Sequence, residues 1–273
     1  MINQILDRTN ATWLDKQYST QNNLEDRITL HRICGTDGGR WQEWLFDILL
    51  QHAPLQAKVL EVGGGTGQFW IKNTERIPKD WEIIFSDRSE GMVKIVREYL
   101  KDDRRFLLKT LDASQPFDFQ DAAFDIVVAN HMLYHVENLD QCIREIFRIL
   151  KPGGLFFASA VGVNHMKRIY ELVHEFYPEF AENRVRRHFN LQGGKEKLDP
   201  YFASVEVVTP QNKLIVQKEH LPLLIRYALS FDEIKNIIGE HEVESFYNFL
   251  LTKLDENGTI VIPKEEVLFI GKK

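Results

Sequence analysis

The chain has 273 residues, 44% of them hydrophobic and 27% charged, which is enough for a sizeable core and too polar for a membrane-embedded protein. Its 34 basic and 40 acidic residues leave a formal charge of −6, so a phosphate backbone finds no whole-molecule attraction. Cys34 and Cys142 are too few for a disulfide framework and no CxxC pair occurs, no run approaches the ~20 apolar residues of a membrane span, and the first residues lack the pattern of a secretory signal. A cytoplasmic protein without a membrane partner or a metal is expected.

The first 55 residues read mostly as helix, with Trp41, Trp44, Leu45, Ile48 and Leu49 forming an apolar stripe that suits core packing. From Lys58 the pattern alternates. Short apolar runs at Lys58 to Val62, Trp81 to Ser86, Phe124 to Ala129 and Leu155 to Ala160 suit strands buried on both faces. The periodicity predicts helices over Glu90 to Leu100 and Leu139 to Leu150, and KPGG at Lys151 to Gly154 supplies a helix stop. Strand and helix in succession predict a doubly wound α/β sheet. Beyond Gly162 the pattern loosens into a helix from His165 to Phe176, a basic loop at Arg184 to His188 and a strand at Ser204 to Val208. A helical block from His220 to Leu254 and the strand-like runs TIVI and VLFIG follow.

The sharpest signal is VLEVGGGTGQF, Val59 to Phe69. Gly63, Gly65 and Gly67 let the chain turn tightly and approach a ligand closely, with the amides of a helix start pointing at it. The spacing G-x-G-x-G, with Gln68 following, departs from the dinucleotide fingerprint, and without a Gly-Lys-Ser/Thr the loop suits no nucleoside triphosphate. Glu61 just ahead of the loop repels a pyrophosphate and favours a cation.

Four features in order resemble the class I S-adenosylmethionine-dependent methyltransferases: Glu61-x-Gly63-x-Gly65-x-Gly67, Asp87 at the end of the second strand, Asp112-Ala113, and LKPGG (Leu150 to Gly154) before the fifth strand. They cover about Leu55 to Gly162. HMLYHV (His131 to Val136), KPGGLFFAS and VLFIGKK are most similar to the small-molecule members of that family. The resemblance implies a Rossmann-like doubly wound seven-stranded methyltransferase sheet at 55–273, an N-terminal helical lid at 1–54 and a helical cap inserted at about 211–258. It also implies S-adenosyl-L-methionine as cofactor, with Glu61, Gly63, Gly65, Gly67, Asp87, Arg88, Met92, Asp112, Ala113 and Asn130 as its binding residues. Asp87 is placed either to accept both ribose hydroxyls or to cap the helix at Glu90, and Asp112 either to accept from the adenine amino group or to sit in a solvated loop. Phe69 and Met92 pack either on the nucleoside or in the core.

Methyl transfer from a sulfonium is an in-line displacement in which the protein chiefly aligns the reactants, and a base helps only an acceptor that is protonated at neutral pH. His131 and His135 follow the fourth strand at the ligand-bearing edge and are the catalytic candidates, with a structural role as the alternative for either. The stretch ANHM lacks the Pro-Pro pair of the amino-methylating nucleobase enzymes, no cysteine stands where a carbon-5 cytosine enzyme needs one, and Glu137 alone does not make the two-glutamate loop of the protein arginine enzymes. Asn130 stands where aminopropyl transferases resemble this fold but carry an aspartate. Tyr18, Arg27 and His31 are candidates for closing the site, with a surface helix as the alternative, and Arg184, Arg186, Arg187 and His188 for holding an anionic acceptor, with a solvated loop as the alternative. The expected function is transfer of the cofactor's methyl to O, N or C of a small-molecule acceptor by a monomer or homodimer, releasing S-adenosylhomocysteine. An RNA or protein acceptor and a non-catalytic cofactor-binding protein are the other readings.

Overall fold

A computed structural model describes residues 20–100, 102–180 and 188–273. Among the described residues nine strands run β1 Ala57–Glu61, β2 Trp81–Asp87, β3 Phe106–Thr110, β4 Phe124–Asn130, β5 Leu150–Val161, β6 Ser204–Val208, β7 Lys213–Gln217, β8 Thr259–Pro263 and β9 Glu266–Lys272. Seven form one sheet in the order β3-β2-β1-β4-β5-β9-β6, and β7 pairs with β8 in a separate two-stranded sheet. The chain falls into two compact units.

The sheet unit contains Trp41–Val163, residues 188–210 and Glu265–Lys273. Its strands β1 to β5 pair in parallel, and β9 runs antiparallel to both β5 and β6. Val59, Leu60, Phe85, Ile126, Val127 and Ala129 are buried, as expected where helices cover both faces of a parallel sheet. Chain order reverses between β1 and β4, so their C-terminal ends open a crevice there. The helix Trp41–His52 belongs to this unit. It buries Leu45, Phe46 and Leu49, so the expected apolar stripe is core packing.

The helix Leu139–Ile149 shows how local sequence fixes this architecture. Cys142, Ile143, Ile146 and Ile149 recur on one face and are buried, while Asn138 Oδ1 accepts the Gln141 N–H at 3.2 Å as an N-cap. At its other end Lys273 Nζ donates to Phe147 O at 2.6 Å and Leu150 O at 2.8 Å, satisfying carbonyls that a helix terminus leaves unpaired. Burial pushes the Cys34 thiol up to about 11 and the Cys142 thiol up to about 12, which makes both small apolar side chains rather than nucleophiles.

Two sequence expectations need correction. The fifth strand starts earlier than expected, with KPGG inside β5 directly after the helix ends at Ile149: Leu150 already pairs with Phe124, and a register shift follows before Leu155 pairs with Ile126. Residues 213–217, expected within a helical cap, form β7 because Leu214 and Val216 are buried between exposed neighbours, a strand's period of two.

The second unit, described over residues 20–40, 164–180 and Gln211–Lys264, holds the β7–β8 sheet with the helices Thr20–Cys34, Lys167–Phe176, Leu221–Leu229 and Val243–Leu251. Arg27, one candidate for closing the site, donates to Ser230 Oγ at 2.8 Å and Ser230 O at 3.1 Å and lies over the Phe231 ring. His31 packs edge-on to Tyr227, and burial with nearby Lys264 lowers its pKa to about 4, so it is neutral at pH 7. Tyr18, Arg184, Arg186 and Arg187 lie outside the described residues.

Candidate active site

The glycine loop leaves β1 with Gly63, Gly65 and Gly67 all at positive φ, +68°, +56° and +72°. A Cβ at Gly63 would sit 2.9 Å from the Met132 side chain, and one at Gly67 2.8 Å from Val96. At Gly65 it would meet nothing of the protein within 4 Å, so the cradle is open on that side. The loop is pinned by Gly64 N–H to Ser86 O at 2.9 Å and by Gly65 N–H to Asp87 Oδ2 at 2.8 Å.

Asp87 Oδ1 accepts the Ser89 N–H at 2.8 Å. Ser89 itself precedes the helix Glu90–Leu100 and takes the Met92 N–H on its Oγ, so Asp87 is not that helix's cap. Asp112 accepts the Ser114 N–H on Oδ1 at 2.9 Å, and Ala113 beside it is buried.

Glu61 is 1% exposed, and its Oε2 accepts the Trp70 indole N–H at 2.7 Å. Burial pushes its carboxyl up to about 8; the negative charge of Asp87 adds to the rise and the Trp70 bond opposes it. Between 4.5, the ordinary value, and about 8 the folded chain holds a proton that the unfolded chain has released, so stability falls as pH rises through that window. Glu61→Gln is expected to flatten this slope. Its melting temperature should gain on the wild type by roughly 5 °C or more between about pH 5 and pH 9. Parallel melting curves across that range would contradict the assignment.

At the end of β4, Asn130 Oδ1 accepts from Ser159 Oγ at 3.2 Å, while its Nδ2 is buried and has no partner among the described residues. His131 follows with φ +52°, in the left-handed region, its N–H directed at both Ser159 O and Ser159 Oγ at 3.1 Å. His135 closes a short 3-10 turn, is exposed, and packs its ring edge-on to Tyr134.

A cavity of about 290 Å³ gathers Gly63, Asp87, Arg88, Asp112, Ala113, His131 and His135 from the sequence-derived set. Leu111, Ser114, Met132 and Val136 complete its lining. Glu61, Gly65, Gly67 and Asn130 stand behind or beside it as loop and strand-end residues, and Met92 is half-buried in the first helical turn. Phe69 packs against Phe46 and Trp70 in the core, away from the lining. Met132 was legible only as part of HMLYHV; its contact with Gly63 depends on a chain turn that no local pattern announces. Among the described residues no cluster of three or more His, Cys, Asp or Glu is placed to hold a metal.

A glycine cradle open at Gly65, a carboxylate at the end of β2, an Asx turn after β3 and an unpaired amide at the end of β4 fit a nucleoside carrying a cationic amino-acid tail. Residues 60–158 match the methyltransferase domain family, and the chain is similar to the class I S-adenosylmethionine-dependent methyltransferases. The family implies use of S-adenosylmethionine.

A demethylmenaquinone methyltransferase of Leptospira interrogans is 28% identical over 218 residues, covering 78% of this chain and 83% of the relative. A ubiquinone/menaquinone biosynthesis C-methyltransferase UbiE of Idiomarina loihiensis is 33% identical over 103 residues, 36% of this chain and 39% of that protein. The crystal structure of YcgJ from Bacillus subtilis superposes with a TM-score of 0.56 at 19% identity, covering 85% of this chain and 98% of that one, and so shares the fold. No helix among the described residues is long and apolar enough to cross a membrane.

Proposed function

We propose that the protein transfers the methyl of S-adenosylmethionine to a ring carbon of a small quinol. The observation that carries this reading is the pair His131 and His135 lining one cavity with Gly63 and Asp87, in a chain whose relatives carry quinone C-methyltransferase names. The bound cofactor supplies a methyl on a sulfonium and leaves as S-adenosylhomocysteine.

Asp87 would accept from the ribose hydroxyls, and Asp112, Ala113 and Arg88, which line the same cavity, would hold the adenine end. Gly63, Gly65 and Gly67 allow close approach, with Glu61 and Met92 supporting the loop and the helix behind it. Asn130 would offer its backbone carbonyl, and its Nδ2, buried without a partner among the described residues, would be free to donate to the amino-acid part. A quinol carbon becomes nucleophilic when a ring hydroxyl gives up its proton, and a histidine near neutrality takes it. The cofactor would supply its methyl to that carbon, the carbon–sulfur bond breaking as the carbon–carbon bond forms, and the ring carbon would release its hydrogen as a proton.

The test incubates the protein anaerobically with a short-chain demethylmenaquinol and methyl-labelled cofactor. One labelled methyl on a ring carbon is expected. S-adenosylhomocysteine binding without any incorporation would overturn the acceptor assignment while leaving the cofactor site in place.

A further inference from the structure

His131 carries an unusual load for a residue at a strand end. Its left-handed backbone is strained for a side chain with a Cβ, and such strain persists where surrounding contacts hold it. Ser159 pins its N–H, and the Trp41 indole faces its ring at 5.4 Å between centroids and 38° between planes. Trp41 in turn stacks on Trp44 at 5.0 Å and 26°. Three rings therefore form a row, Trp44, Trp41, His131, whose last member lines the cavity.

Trp41 sharpens the point. Its Nε1 is buried with no partner among the described residues, an arrangement that leucine or phenylalanine would avoid. The side chain is thus placed for its ring face rather than for a hydrogen bond. Stacked aromatic faces favour a further flat ring at similar spacing and orientation.

We propose that this row is a stacking wall: Trp41, braced by Trp44, is a positioning residue that holds the His131 imidazole as a platform for a planar aromatic acceptor. The proposal rests on the quinol reading for its substrate class. It separates the two histidines, with His131 orienting the ring and His135, exposed on the next turn, taking the proton.

The experiment is calorimetry on the full chain saturated with S-adenosylhomocysteine, using anaerobic 1,4-naphthoquinol as probe and cyclohexane-1,4-diol as the non-aromatic control. Wild type is expected to bind the naphthoquinol and not the diol. Trp41→Leu and His131→Ala should weaken naphthoquinol binding about tenfold or more, whereas Trp41→Phe and His131→Phe should stay within about threefold. Trp41→Leu should retain its affinity for S-adenosylhomocysteine, which guards against a folding defect.

Equal binding of naphthoquinol by wild type and Trp41→Leu would overturn the wall. So would equal binding of diol and naphthoquinol, or an equal loss in His131→Phe and His131→Ala. Ring-selective binding that follows the predicted pattern without methyl transfer would leave the wall standing and remove quinol methylation. Methyl transfer undiminished in Trp41→Leu would do the reverse.

Discussion

Asp87→Ala is expected to weaken S-adenosylhomocysteine binding by about a hundredfold or more in calorimetry, with Asp87→Asn losing distinctly less. In the structure this carboxylate takes two backbone amides, from Gly65 and from Ser89, each at 2.8 Å. It therefore ties the crest of the glycine loop to the end of β2. Removing it leaves a loop with three left-handed glycines without that clamp, and in the proposed function it also removes the acceptor for the ribose hydroxyls. Each hydrogen bond to a charged group contributes ~1.5–3 kcal/mol, so the loop amides and ribose together account for an effect of this size. Asparagine keeps one acceptor oxygen but not the charge. A dissociation constant for Asp87→Ala within threefold of wild type would refute the clamp.

Phe46→Ala is expected to be the most disruptive single truncation on the helix Trp41–His52, costing ~3–5 kcal/mol and lowering the melting temperature by roughly 10 °C. Its ring is fully buried and meets Phe69, Trp70 and Trp81 at centroid distances of 5.6, 6.2 and 6.3 Å, and Arg76 lies over it. The cavity left behind would loosen Trp70, whose indole N–H holds the Glu61 carboxyl. Stability and the glycine loop are thereby joined through one aromatic cluster. Phe46→Leu should recover most of the loss, because it restores apolar volume. Denaturant melts showing less than ~1 kcal/mol of change for the alanine variant would mean that the cluster repacks.

The parts of this molecule that sequence exposes are those ruled by short-range pattern. Continuous Val/Ile/Phe runs fixed the parallel strands, and the glycines of the loop announced themselves because a positive φ selects glycine. The grouping of Asp87, Asp112 and His131 around one cavity followed from their common place at strand ends, which a doubly wound sheet brings together. What short-range pattern leaves hidden depends on partners distant in the chain. β7 exists as a strand because β8, far along the sequence, pairs with it. The row Trp44, Trp41, His131 joins a helix to a strand end, and no spacing within either segment predicts the encounter. The position of Glu61 alone suggests a charged group facing the ligand. Its burial against Trp70 and its raised pKa belong to the packed state.

The position of β9 between β5 and β6 has a consequence for assembly. Strands β1 to β5 arise as successive local units, each able to dock on those already made. β6 has no such neighbour: among the described residues its only partner in the sheet is β9, and the whole of β7 and β8 intervenes. During synthesis β6 must therefore wait as an unpaired strand while more than one other element forms. Its sequence, SVEVV, is short, mostly solvent-facing and interrupted by Glu206, which suits a strand that has to remain soluble until its partner arrives.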